Sequence, residues 1–151
     1  MIEILLIGEC GTGKTWVMSN IVKGLDKRGK LGLFRFHYND DVVVPGIYDG
    51  SIFQGSDKLS MAVTRDIIKF RKWAKGRVII YEGDRFTNTN ILSKSPYVIK
   101  IAGNGAKGRK IRGSKQSERH LKSIATRVAN ITADEVAKDS EEALKIIQAL
   151  I

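Results

Sequence analysis

Residues 2–7 are apolar at every position except Glu3, the pattern of a strand buried on both faces; Val17, Met18, Ile21, Val22 and Leu25 then recur at helical spacing. Basic residues and glycines in 23–29 (KGLDKRG) mark the end of that helix. Residues 31–36 (LGLFRF) alternate like a second strand, and 42–44, 47–48 and 51–53, separated by Pro45-Gly46 and Asp49-Gly50, read as small extended strands or a hairpin. Val63, Ile67, Phe70 and Ala74 define a helical face that stops at Gly76; residues 77–81 (RVIIY) read as a third core strand and 97–101 (YVIKI) as a fourth. Residues 103–114 read as a glycine- and base-rich loop, 115–130 as an amphipathic helix and 131–137 as a fifth strand; a closing helix is capped by Asp139, with Glu142 three residues on. This alternation predicts an α/β fold with a doubly wound, parallel, five-stranded sheet.

The element between the first strand and helix carries the chemistry. Gly8-Glu9-Cys10-Gly11-Thr12-Gly13-Lys14-Thr15 fits the phosphate-binding spacing Gly-x4-Gly-Lys-Ser/Thr, in the strand-then-helix setting that such a loop requires. Gly8, Gly11 and Gly13 let backbone N–H groups turn inward onto phosphate oxygens, Lys14 reaches the β- and γ-phosphates, and Thr15 offers a hydroxyl to Mg²⁺. Thr12 and Trp16 belong to the same element and are read with it as nucleotide-binding residues. Only a nucleoside triphosphate uses all of these groups, so ATP and Mg²⁺ are the expected cofactors; the alternative is a glycine turn that binds nothing.

A chain of 151 residues makes one domain, 1–151. Its sole cysteine, Cys10, lies inside the loop, which rules out an internal disulfide and suits a reducing cytoplasm. The apolar start is too short to span a membrane and lacks a charged leader, so a soluble protein is expected. The net charge of +10 is concentrated: residues 94–130 hold ten Lys and Arg against the single acid Glu118, whereas the remaining chain has 16 basic and 15 acidic side chains. Such a run can be a solvated face; confined to one segment of a triphosphate-binding domain, it points to a polyanion, whether triphosphate, nucleic acid or both.

Glu82, Asp84 and Arg85 follow the third strand, at the sheet edge where ligands of open α/β folds bind. Carboxylates there can hold Mg²⁺, Glu82 first, or accept a proton, while Arg85 can fix a substrate oxygen. Asp57, in the run 55–61 (GSDKLSM), suits the orientation or deprotonation of an acceptor hydroxyl; Asp57 or Ser60 reads equally well as an N-cap. Asp40 and Asp41 are weaker candidates for that task. Arg109, Arg112, Arg119 and Arg127 form an arginine-bearing lid over about 103–127: Arg109 and Arg112 for the triphosphate, Arg119 and Arg127 for the transferred group. The glycines of this segment fit a mobile stretch. His37 and His120 lack metal-ligand spacing and read as ordinary polar or packing residues.

With its N-terminal phosphate loop, Glu82-Gly83-Asp84-Arg85-Phe86 after a core strand and a basic segment before the last helix, the chain resembles the P-loop nucleoside and nucleotide kinases, thymidylate kinase among them. The resemblance implies a P-loop NTPase fold, a substrate element at Asp84-Arg85 and an arginine lid. Phe36-His37-Tyr38 stands where thymidylate kinases carry Arg-Glu-Pro, which argues against free thymidylate as substrate. The chain is also similar to small phage-type kinases that phosphorylate 5-hydroxymethyluracil within DNA, through Gly46-Ile47-Tyr48-Asp49, the run 55–63, Gln116-Ser117-Glu118, Lys122 and Thr126-Arg127. That likeness implies transfer of the γ-phosphoryl of ATP to a base hydroxymethyl, DNA as partner and, for a phage-encoded member, the host cytoplasm. Rival expectations are a deoxynucleoside monophosphate kinase and an ATP-hydrolysing DNA-binding or packaging module. Oligomeric state is left open.

Overall fold

The computed structural model describes every residue except Met1, Ser114 and Lys115, with Arg112 described through its backbone only. The chain runs β1 (Glu3–Ile7), α1 (Lys14–Val22), β2 (Lys27–Leu31), β3 (Phe34–Tyr38), β4 (Val42–Pro45), α2 (Ile67–Trp73), β5 (Val78–Glu82), α3 (Thr89–Leu92), β6 (Tyr97–Ile101), α4 (Ala106–Arg112), α5 (Glu118–Asn130), β7 (Glu135–Ala137) and α6 (Ser140–Leu150). One open sheet orders the strands β2-β3-β4-β5-β1-β6-β7. The stretch from β4 to β7 is parallel, with β1 between β5 (Leu5 opposite Tyr81) and β6 (Leu5 opposite Val98).

Strand alternation sorts the core into two layers. Leu5 and Ile7 of β1, with Ile79 and Tyr81 of β5, pack against Phe70 of α2 and Ile124 and Val128 of α5. Ile4 and Leu6, with Ile80 and Ile99, pack against Val17, Met18 and Ile21 of α1 and Ala143 and Ile147 of α6. Helices therefore cover both faces, which is why β1 reads as a continuous apolar run with Ile4, Leu5 and Leu6 all fully buried. No helix among the described residues is long and apolar enough to cross a membrane.

The sheet has seven strands where five were expected. Residues 31–36 are not one strand: Gly32, in the left-handed region at φ 57, reverses the chain, and Asp66 Oδ2 accepts the Leu33 N–H at 2.8 Å to hold the turn. The result is an antiparallel β2–β3 hairpin added to β4, with Leu31 opposite Phe34 and Lys27 opposite Tyr38. The polar β2 is an edge strand, where lysines discourage further pairing but hide the hydrophobic signal. Phe34 stacks on Phe70 with ring centroids 4.1 Å apart, fixing the hairpin to α2.

Three further expectations change. Residues 47–53 contribute only an isolated pairing of Ile47 with Gly55. The expected loop at 103–114 contains α4, and the following helix starts at Glu118, where Ser117 Oγ accepts the His120 N–H at 3.2 Å; Ser114 and Lys115 lie outside the described residues. Because β3 runs antiparallel to β4, Asp40 and Asp41 follow it at the amino edge of the parallel strands, with Asp40 paired to Lys27 at 3.3 Å, away from the carboxyl edge that a catalytic base would need.

Candidate active site

At the carboxyl edge, beside central β1 where connections part to either side, residues 8–15 join β1 to α1. Gly11 and Gly13 take φ of 87 and 97, conformations suited to glycine. Lys14 folds back across the loop, its Nζ donating to the carbonyls of Gly8 at 2.7 Å and Glu9 at 3.1 Å. Thr12 Oγ1 donates to Glu9 O at 2.8 Å and closes the same turn. Gly8, Gly11, Gly13, Lys14, Thr15 and Trp16 all line a cleft of about 380 Å³, within the roughly 300–1,000 Å³ of small-molecule sites.

The strand-end residues meet them there. Asp57, Glu82, Asp84, Arg85 and Arg127 line the same cleft. Glu82, only 3% exposed, accepts at Oε1 from Tyr48 Oη (3.2 Å), Ser56 Oγ (3.4 Å) and the Ser56 N–H (3.5 Å). Burial pushes its carboxyl above the usual range; the Lys14 charge opposes that rise and the Asp57 charge adds to it. Asp57 sits exposed on a single 3₁₀ turn, Ser56–Lys58, whose cap position is Gly55, and no side-chain cap bond forms there. The capping alternative for Asp57 is therefore not what the structure contains, whereas Ser60 Oγ does accept the Ala62 N–H at 3.2 Å. Asp84 Oδ1 accepts from Thr87 Oγ1 at 3.3 Å and pairs with Arg127, and Arg85 Nε donates to Leu59 O at 3.2 Å.

The lid residues divide. Arg109 lies against the loop of residues 8–15, its Nη1 donating to Cys10 O at 2.7 Å and also to Asn104 O. A Cβ on Gly105 would collide with Cys10 O, and one on Gly108 with Gly11 O, so these glycines serve close backbone packing of α4 on the loop rather than the mobility expected of them. Arg119 is exposed on α5 and is absent from the cleft wall. The side chain of Arg112 lies outside the described residues.

Sequence reasoning gave no site role to Tyr48, Gln54, Ser56, Gln116 or His120, although Tyr48, Ser56 and Gln116 fall in the runs that carry the kinase likeness. Gln116, His120, Ile124, Arg127 and Val128 face the cleft together, a stripe at intervals of three to four residues that mixes apolar and polar types. Its spacing was visible, but a helix read as amphipathic is sorted by polarity, which separates Ile124 and Val128 from Gln116, His120 and Arg127. No three or more His, Cys, Asp or Glu cluster among the described residues. One hydroxyl and one carboxylate suit Mg²⁺, which keeps several waters and takes one or two protein carboxylates alongside phosphate oxygens. No protein-family model and no curated protein matches the chain.

Proposed function

We propose that the chain is an ATP- and Mg²⁺-dependent kinase on a P-loop nucleotide-kinase fold, transferring the γ-phosphoryl to a hydroxyl, that of a 5-hydroxymethyluracil base in DNA. The observation that carries this reading is the convergence of Lys14, Thr15, Asp57, Glu82, Asp84, Arg85 and Arg127 on one cleft at the carboxyl edge of the sheet. The loop N–H groups and Lys14 hold the β- and γ-phosphates. Thr15 and Glu82 would hold Mg²⁺, which neutralises charge on the phosphate oxygens when bound. Asp57 accepts the proton as the acceptor oxygen bonds to the γ-phosphorus; the bond from that phosphorus to the β–γ bridging oxygen breaks, and ADP leaves with its electron pair. Arg85 and Arg127 stabilise charge on the moving phosphoryl group.

DNA as acceptor is supported by the exposed basic side chains of the segment. Lys107, Lys110, Arg119 and Lys122 are all exposed and form no ion pair among the described residues. A polymeric acceptor uses many such cations, a mononucleotide few. DNA affinity measured across a salt series tests this. The reading expects a log–log slope that steepens by roughly 0.7–0.9 per phosphate contacted; no DNA binding at low salt, with or without an ATP analogue, would overturn the DNA substrate.

A further inference from the structure

The loop between β4 and the 3₁₀ turn bearing Asp57 wraps the end of β5. Its neck is closed by reciprocal bonds, Ile47 N–H to Gly55 O at 3.0 Å and Gly55 N–H to Ile47 O at 2.6 Å. Through that neck Tyr48, 7% exposed, and Ser56, 1% exposed, both reach Glu82, and three donors gather about a single carboxylate oxygen, Oε1. Each distance, 3.2–3.5 Å, is long for a hydrogen bond, so the carboxylate is held by several weak contacts rather than one strong one. Glycine is required on both sides of the clasp: a Cβ on Gly55 would stand 2.8 Å from Glu82 Oε1, and one on Gly46 would stand 2.8 Å from Tyr48 Cε2. Tyr48 is itself anchored, its N–H donating to His37 Nε2 at 3.2 Å and its ring meeting the imidazole edge-on at 5.8 Å.

We propose that Tyr48 and Ser56 are positioning residues: they fix Glu82 through Oε1, leave Oε2 for Mg²⁺, and tie the loop that carries Asp57 to the metal side of the cleft. This rests on Glu82 being a metal ligand. A ligand carboxylate free to rotate has to be ordered each time the metal binds. Hydrogen bonds from outside the coordination sphere remove that requirement, and their loss lowers metal affinity typically by about 10–100-fold. Ser56 immediately precedes Asp57, so the contact that orders the metal ligand also sets the position of the proton acceptor.

The test is direct binding of Mn²⁺ to the full chain with a non-hydrolysable ATP analogue, read by electron paramagnetic resonance, for wild type, Glu82→Gln, Tyr48→Phe and Ser56→Ala. Expected results are a rise in the Mn²⁺ dissociation constant of roughly 10–100-fold in Tyr48→Phe and Ser56→Ala, with analogue affinity in EDTA unchanged. Turnover of the two variants should recover toward wild type as metal is raised, a KM effect on the metal rather than on kcat. Should Glu82→Gln weaken Mn²⁺ while Tyr48→Phe and Ser56→Ala bind it normally, the positioning role is overturned and the metal reading stands. Should Glu82→Gln leave Mn²⁺ affinity intact, both fall. Ser56→Ala, the smaller change, keeps the test valid if Tyr48→Phe does not fold.

Discussion

Arg127, in the last turn of α5, is ion-paired across the cleft with Asp84, two residues beyond the end of β5. The basic segment is thereby tied to the sheet edge, and Arg127 lines the same cleft as Lys14 and Thr15. Both partners are partly solvated, with side chains 43% and 32% exposed, so the pair contributes at most about 1 kcal/mol to stability. Arg127→Ala should leave thermal unfolding within a few degrees of wild type while slowing transfer roughly 10²–10³-fold, the range for losing one positioned charge donor. A matched fall in Tm and activity would show a structural role instead.

Lys14 braces the loop through the carbonyls of Gly8 and Glu9, and the same ammonium is the group expected on the β- and γ-phosphates. Lys14→Ala should cut turnover by roughly 10²-fold or more and preserve the fold, because the side chain contributes no apolar packing to either core layer. Circular dichroism and steady-state turnover on one preparation check both halves. Unimpaired transfer by this variant is incompatible with a P-loop mechanism.

Asp57→Asn keeps the shape and one acceptor oxygen but has no carboxylate to take a proton. As Asp57 caps no helix, the variant should fold normally and lose roughly 10²–10⁴-fold in rate. Near-normal rates would move the proton acceptor to Asp84.

His37, 5% exposed, is held neutral: burial, and then the Arg28 charge from the neighbouring position on β2, push its pKa below the ordinary value of 6.5. As pH falls through about 6.5, the unfolded chain takes up a proton that the fold resists, so stability falls on acidification until the folded imidazole titrates, with a limiting slope near 1.4 kcal/mol per pH unit. Glu82 works in the opposite direction, its raised pKa favouring the fold as acid is added. Comparing wild type with His37→Gln isolates the imidazole: urea unfolding between about pH 7 and pH 5 should show a shallower loss in the variant. Parallel curves would exclude His37 as the source.

Much of the frame is written in local pattern. The apolar run that closes β1, the glycine spacing of residues 8–15 and the apolar strand ending in Glu82 each declare themselves within a few residues, and together they place one side of the cleft. What stayed hidden depends on partners far away in sequence. β2 is polar because it is an edge, and its pairing depends on a turn held by Asp66, more than thirty residues on. Tyr48 and Ser56 look like ordinary loop residues until the fold brings them to Glu82, 34 and 26 residues away. Gly105 and Gly108 read as loop punctuation because nothing local announces the backbone of Cys10 and Gly11 against them.

The most direct measurement is the fate of label from γ-labelled ATP, offered in parallel with 5-hydroxymethyluracil DNA, ordinary DNA and a panel of nucleoside monophosphates. The proposed function predicts label on the hydroxymethyluracil DNA alone, acid-stable, attached through the base hydroxymethyl oxygen and cut by roughly 10²-fold or more with Lys14→Ala. Label on a monophosphate would make the chain a mononucleotide kinase. Label released only as inorganic phosphate, whatever DNA is present, would contradict phosphoryl transfer to a hydroxyl acceptor altogether.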